Sequence, residues 1–501
     1  MPTTLEELVE RVKDIGRLRS IGQLLEWDQD TYMPPRGVTA RAQQAALIAG
    51  LAHEKLTAAE TGALLGAVDV NEGDPVRQTI VRETRRSFER ASRVPNELVK
   101  SIAEASAVAK DAWVRARKED DFAAFAPHLA TLVALKRRLA DHVGFQGEPY
   151  DALLDEFEPG ATVAGLAPLF AELERHTREL LRRIAASPHK PDVGILTRHF
   201  PRTQQEKLCR SMAEALGFDF SSGRADVTVH PFCTTIGGSG DVRITTRYHE
   251  DFLPAALFGT MHETGHALYE LGLPFEHMFT PAAEAVSLGI HESQSRMWEN
   301  FVGRSRAFWV AHFKELTALF PESLEGVTLE DFYRAINVVR PSFIRVEADE
   351  LTYNLHIILR MDLERRLLRG DLKPADVPGA WNGRFSQLFG IVPPSDREGC
   401  LQDIHWSLGI FGYFPTYTLG NLYAAQFFEQ VQRDLPDLPD TLAAGQTRPL
   451  LDWLREKIHR HGQRYRAAEL IERVTGEPLS VQPFVRYATR KFSEVYAPQA
   501  S

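Results

Sequence analysis

The sequence predicts a mainly α-helical body with one small antiparallel sheet. Apolar residues recur at three- and four-residue spacing through most of the chain, β-branched runs are confined to one short stretch, and proline and glycine interrupt the helical pattern without forming a flexible linker. At the start, Leu5, Leu8, Val12 and Ile15 form one stripe, and Thr4 with Glu7 three residues on gives a capping-box pattern. Pro34-Pro35, Pro95, Gly147 to Pro149 and Pro159-Gly160 mark turns between the helices that follow, up to about residue 190. Between Arg224 and Arg247 the texture changes. Val227-Thr228-Val229 and Val242-Arg243-Ile244-Thr245-Thr246 flank Ile236-Gly237-Gly238-Ser239-Gly240, a pattern that reads as an antiparallel hairpin. Those glycines lack the order and the Lys-Ser/Thr ending of a phosphate loop. Pro254 to Gly272, and long stretches to about Arg490, return to helical periodicity.

Composition narrows the function classes. The 501 residues are 44% hydrophobic and 25% charged, which excludes collagen-like, coiled-coil and largely disordered chains. A net charge of −10 offers no broad attraction to phosphate backbones or anionic lipid, so neither nucleic acid nor membrane is an expected partner. Three scattered cysteines, Cys209, Cys233 and Cys400, favour reduced thiols and a cytoplasmic location. Met1 to Leu18 lacks the continuous apolar stretch of a signal peptide, which fits an unexported, soluble protein.

The sharpest chemical signal is His262-Glu263-Thr264-Gly265-His266. Residues four apart share a helix face, so two imidazoles can meet one metal ion, with Glu263 beside them. Gly265 costs about 1 kcal/mol of helix propensity, tolerable if a small residue permits close packing near the metal. A catalytic zinc site needs a third protein ligand and an open position. Glu292 is the first choice because Ser295 and Arg296 follow one turn on as polar supports; Glu284, after Pro281-Ala282-Ala283, is the rival. His291 reads as a residue outside the ligand set. With ligands His262, His266 and Glu292, the expected cofactor is one divalent ion per chain, zinc by default and cobalt as an alternative. Glu263 is the expected general base.

His262 to His266 with His291-Glu292-Ser293-Gln294-Ser295 resembles the carboxypeptidase Taq family of thermostable metallocarboxypeptidases. Further motifs match in order: His230-Pro231-Phe232; Asp241 to Thr245 as DxRxT; Ile344 to Asp349 as IRxxAD; and Gly399 to Trp406 as GxxQDxHW. Trp27-Asp28 with Met33-Pro34, and Thr475-Gly476-Glu477-Pro478, extend the resemblance over essentially the whole chain. The resemblance implies a single catalytic domain over residues 1–501, with residues 1–200 a helical wall and 201–501 the metal-site portion. It also implies a deep groove, a homodimer and release of single C-terminal residues from peptides. It points to His405 and either Tyr413 or Tyr417 as donors to the oxyanion. Arg345 is the first candidate, and Arg243 the second, to bind the substrate carboxylate; the alternative for Arg345 is an ion pair with Glu347, Asp349 or another acid. His230 and Asp241 are expected to shape the site wall, and Asp349 to act as a supporting carboxylate. Competing functions are an oligopeptidase or dipeptidyl carboxypeptidase with the same metal chemistry, and an inert helical interaction protein.

Overall fold

In the computed structural model, which describes residues 3–71 and 73–498, the first helix is Thr4–Thr31. Its cap is Thr3, one residue before the expected Thr4. Thr3 and Glu6 exchange side-chain and backbone hydrogen bonds at 2.9 and 3.2 Å, the capping box in the neighbouring register of Thr-Thr-Leu-Glu-Glu. The apolar stripe is as expected, with Leu5, Leu8, Val12 and Ile15 all buried. The proline and glycine signals also fall between helices: Pro95 precedes the helix Asn96–Glu119, Pro149 opens Pro149–Phe157, and Pro159-Gly160 forms the turn before Val163–Ala186.

The chain builds two compact units, each from three separated stretches: Met1–Ala91 with Asp192–Ile336 and Tyr423–Leu479, and Ser92–Pro191 with Asn337–Leu422 and Ser480–Ser501. The first unit holds the sheet, formed by β1 (Gly223–Val227), β2 (Cys233–Thr235) and β3 (Val242–Thr246) in the order β1-β3-β2. The sheet is mixed, which corrects the expected antiparallel hairpin. β1 runs parallel to β3, and only β2 is antiparallel to it. β1 ends at Val227, the chain bends at Val229 and His230, and Cys233–Thr235 takes the hairpin position against β3. The glycine-rich stretch is the β2–β3 turn, closed by the Ile236 amide donating to the Asp241 carbonyl at 2.9 Å. Val242 and Ile244 bury one face of the sheet against Ala267, Ala213 and Phe218, with Leu271 beside them. Ala267 and Leu271 belong to the helix Leu253–Gly272, so the sheet braces the helix that carries the histidine pair.

In the second unit the helix Tyr353–Arg369 is enclosed on nearly every side. A helix buried all round is normally apolar. This one buries His356, Arg360 and Glu364, spaced one turn apart along a single face. Among the described residues no helix is long and apolar enough to cross a membrane, and Cys209, Cys233 and Cys400 are free.

Candidate active site

The helix Leu253–Gly272 sets the geometry. Pro254 occupies its first turn, where a missing N–H removes no helical hydrogen bond, and His262 and His266 lie on one face. The helix Leu288–Arg296, capped by Ser287, brings Glu292 to them. Gly265 makes the approach possible. A Cβ there would lie 2.6 Å from both the Gln294 carbonyl oxygen and the Ser295 Cα, closer than a side chain can come.

Glu292 Oε2 lies 3.6 Å from His262 Nε2 and 3.4 Å from His266 Nε2. The three ligand atoms all fall within 4.8 Å of one another. Tetrahedral ligands each roughly 2.0–2.1 Å from a zinc ion lie about 3.3 Å apart, so this donor set fits a single divalent metal. Glu284 is outside it; its carboxylate accepts instead from the Gln463 side-chain amide at 3.4 Å.

Both rings are oriented by acids that sequence reasoning missed. His262 Nδ1 donates to Glu299 Oε2 at 2.9 Å, leaving Nε2 of the neutral ring as a lone-pair donor. Glu299 lies on a wider turn, Met297–Gly303, with i→i+5 hydrogen bonding. The second ring is held by a relay. Glu270 Oε1 can only accept, so His291 Nε2, 2.8 Å away, carries a hydrogen; His291 Nδ1 then accepts from His266 Nδ1 at 2.5 Å. His266 Nε2 is left unprotonated towards Glu292. Thr235 of β2 completes the relay by donating to Glu270 Oε2 at 2.8 Å. Glu270 is four residues beyond His266, and Glu299 three beyond Arg296, so helical spacing offered a signal for each.

Electrostatics differ between the two rings. Burial holds the His266 ring down to about 3. Burial also lowers His262, but Glu292 and Glu299 outweigh it and the ring lies above its ordinary value. As expected, Ser295 and Arg296 support Glu292, donating at 3.0 and 2.7 Å. Burial alone raises the Glu292 carboxyl; Arg296 and His262 reverse this and hold it well below the carboxylate range. Glu263, buried beside the pair, is pushed up to about 7 by burial against the pull of His262. A carboxyl that exchanges its proton near neutrality suits general base and acid work.

The sequence profile described as Carboxypeptidase Taq (M32) metallopeptidase matches residues 7–492. The chain belongs to the M32 family. It is 47% identical to Thermostable carboxypeptidase 1 of Thermus thermophilus and 39% identical to Carboxypeptidase 1 of Bacillus subtilis, with 98% of this chain and of each relative covered. Its fold matches the M32 carboxypeptidase crystal structure from Deinococcus radiodurans R1 at a TM-score of 0.96 and 40% identity, over 99% of this chain and 100% of that one.

The remaining motif residues of this M32 chain form two groups. In the first unit, Arg243 makes a two-pronged pair with Asp241, at 2.9 and 2.8 Å, and its guanidinium lies 4.1 Å from the centre of the Trp27 ring. The DxRxT and Trp-Asp motifs thus fasten the first helix to β3. His230 is exposed, and its carbonyl accepts from Thr228 Oγ1 at 2.9 Å. In the second unit, Arg345 is buried and pairs with neither Glu347 nor Asp349. Its Nε and Nη2 donate to Asp403 Oδ1 at 3.0 and 2.8 Å, and Nη1 donates to the Tyr353 hydroxyl at 2.8 Å. Asp349 accepts the Leu351 and Thr352 amides and so holds the turn that leads into the helix Tyr353–Arg369. His405 Nε2 is 3.4 Å from the Tyr417 hydroxyl, and its ring lies 5.6 Å from that of Tyr413. Burial holds the His405 ring down to about 3, so it is neutral at physiological pH.

Proposed function

We propose that this M32 chain is a metal-dependent carboxypeptidase that releases single C-terminal amino acids from peptides. The observation that carries the reading is the convergence of His262, His266 and Glu292 donor atoms, with both ring tautomers set by Glu299 and the His291–Glu270 relay and with Glu263 alongside. A divalent ion bound there, zinc by the chemistry of two imidazoles and a carboxylate and cobalt as an alternative, polarises the scissile carbonyl and acidifies a water. Glu263 takes the proton of the attacking water and returns it to the leaving amine. His405, as a neutral N–H donor, and Tyr413 or Tyr417 donate to the carbonyl oxygen as it gains charge. Arg345 receives the substrate carboxylate, with Arg243 the second choice; each guanidinium is held by an acid of its own, Asp403 and Asp241. His230 and Asp241 shape the wall of a substrate groove. We read residues 1–501 as one catalytic domain acting in the cytoplasm as a homodimer.

The reading is tested by elemental analysis together with timed mass spectrometry of a peptide ladder. Stepwise loss of single residues from free C-termini, abolished by a chelator, is expected. Released dipeptides or internal cuts assign the chain to oligopeptidase or dipeptidyl carboxypeptidase chemistry, and absence of both metal and chelator-sensitive hydrolysis makes it an inert interaction protein. For the ligand set, Glu292→Ala lowers bound metal from about one ion per chain to a small fraction, whereas Glu284→Ala does not; the reverse result replaces Glu292 with Glu284. For the clamp, Arg345→Lys keeps the charge opposite Asp403 but loses the planar fork. It should raise KM for free-acid peptides by about tenfold and leave C-terminally amidated ones little changed. Equal effects on both substrates remove Arg345 from that role.

A further inference from the structure

Glu364 belongs to none of the motifs that mark the family, yet it ties two of the proposed catalytic side chains to one point. It is fully buried on the helix Tyr353–Arg369. Its oxygens accept three hydrogen bonds from three stretches of chain: the Tyr150 hydroxyl at 2.8 Å, the Trp406 indole N–H at 2.9 Å and the Gly412 amide at 3.1 Å. Trp406 directly follows His405, and Gly412 directly precedes Tyr413. One carboxylate therefore anchors both ends of the segment that separates those two residues.

The anchor leaves the loop little freedom. Gly412 has φ +88°, and a Cβ there would lie 2.6 Å from the Leu153 carbonyl carbon, so its backbone is wedged between the helix Pro149–Phe157 and Glu364. The following ring, Tyr413, meets Phe157 of that same helix at 5.1 Å. All three partners of Glu364 are donors, and a carboxylate is acceptor-only when ionised; an amide would turn N–H groups against at least one of them. Burial pushes the Glu364 carboxyl up to about 7, with Gly412, Tyr150, Trp406 and Arg360 all pulling it back towards the ionised form.

We propose that Glu364 is a positioning residue of the peptidase, fixing the placement of the His405 ring and the Tyr413 hydroxyl by holding Trp406 and Gly412. This rests on the reading of His405 and Tyr413 as donors to the reacting carbonyl. Such donors work only at hydrogen-bond distance, and a displacement of about 1 Å costs on the order of 100-fold in rate.

The test is steady-state kinetics of the metal-loaded enzyme on a free-acid peptide. Glu364→Gln is expected to lower kcat by about 10- to 100-fold while KM and metal content stay near their starting values. In a His405→Ala/Tyr413→Phe background the same substitution is expected to lower kcat little further, because the groups it positions are gone. Tyr150→Phe strips a donor from the same carboxylate without touching the loop, and is expected to lower Tm while keeping kcat within about threefold. Should Glu364→Gln fail to fold, Trp406→Phe removes one of the same bonds from the loop side and carries the same expectations. An unchanged kcat in Glu364→Gln, losses that multiply in the double-variant background, or a kcat that falls with Tm in Tyr150→Phe overturns the proposal. No loss in His405→Ala/Tyr413→Phe itself overturns the donor reading and this proposal with it. A loss there with none in Glu364→Gln overturns this proposal alone.

Discussion

Replacing Glu263 with glutamine is expected to leave the metal content at about one ion per chain and to lower kcat by about 100- to 10,000-fold, the range contributed by a positioned general base. Glutamine has nearly the same shape and can keep the contacts of the buried side chain, but it cannot take a proton from water. The three convergent ligand atoms come from His262, His266 and Glu292, so metal retention does not depend on Glu263. This separates the variant from Glu292→Ala, in which activity and metal disappear together. Measurement of bound zinc beside kcat decides the matter. Turnover within about tenfold of the starting enzyme shows that another group accepts the proton.

The second large effect concerns stability. Asp403 Oδ1 accepts both Nε and Nη2 of Arg345, and Oδ2 accepts Nε of Arg360 at 2.6 Å, with the Arg360 side chain wholly enclosed. Asp403→Asn leaves two buried guanidinium groups without an anion between them, a change that costs about 3–5 kcal/mol. A marked fall in Tm at neutral pH is expected. Burial raises the Asp403 carboxyl, but Arg345 and Arg360 outweigh it and hold it far below the carboxylate range. A folded-state carboxyl held low contributes stability that is fully present above about pH 4, the unfolded value, and is lost as pH falls towards the folded one. Thermal melts of the starting protein should therefore show an acid-side loss that the Asn variant lacks. Equal Tm values at neutral pH for the two proteins rule out this role for the pair.

Much of the metal site was legible because it is local. The four-residue interval between His262 and His266 fixes a shared helix face, Ser295 and Arg296 lie within one turn of Glu292, and Gly265 marks a close helix crossing; all three expectations match the structure. Glu270 and Glu299 obey the same helical spacing and were open to the same argument. The capping box was legible only to within one residue, because Thr-Thr-Leu-Glu-Glu contains two overlapping registers and a single helix start selects between them. The sheet shows a different limit. Its β-branched runs were visible, but the hairpin partner of Val242–Thr246 is the three-residue run Cys233–Thr235, too short to carry a pattern of its own, and the longer run pairs in parallel instead.

By itself, then, the sequence determined the helical class, the identity of the metal-binding helix and the residue types able to serve it, since these follow from periodicity and side-chain chemistry over one or two turns. Only tertiary structure decided that His266 leans on His291 and Glu270, that Arg345 is matched by Asp403 rather than by the nearer Glu347 or Asp349, and that Tyr150, Trp406 and Gly412 share the carboxylate of Glu364. The physical reason is the cost of burying polar groups. Every enclosed charge or donor must find a partner, and chain separation places no constraint on where in the folded interior that partner is supplied.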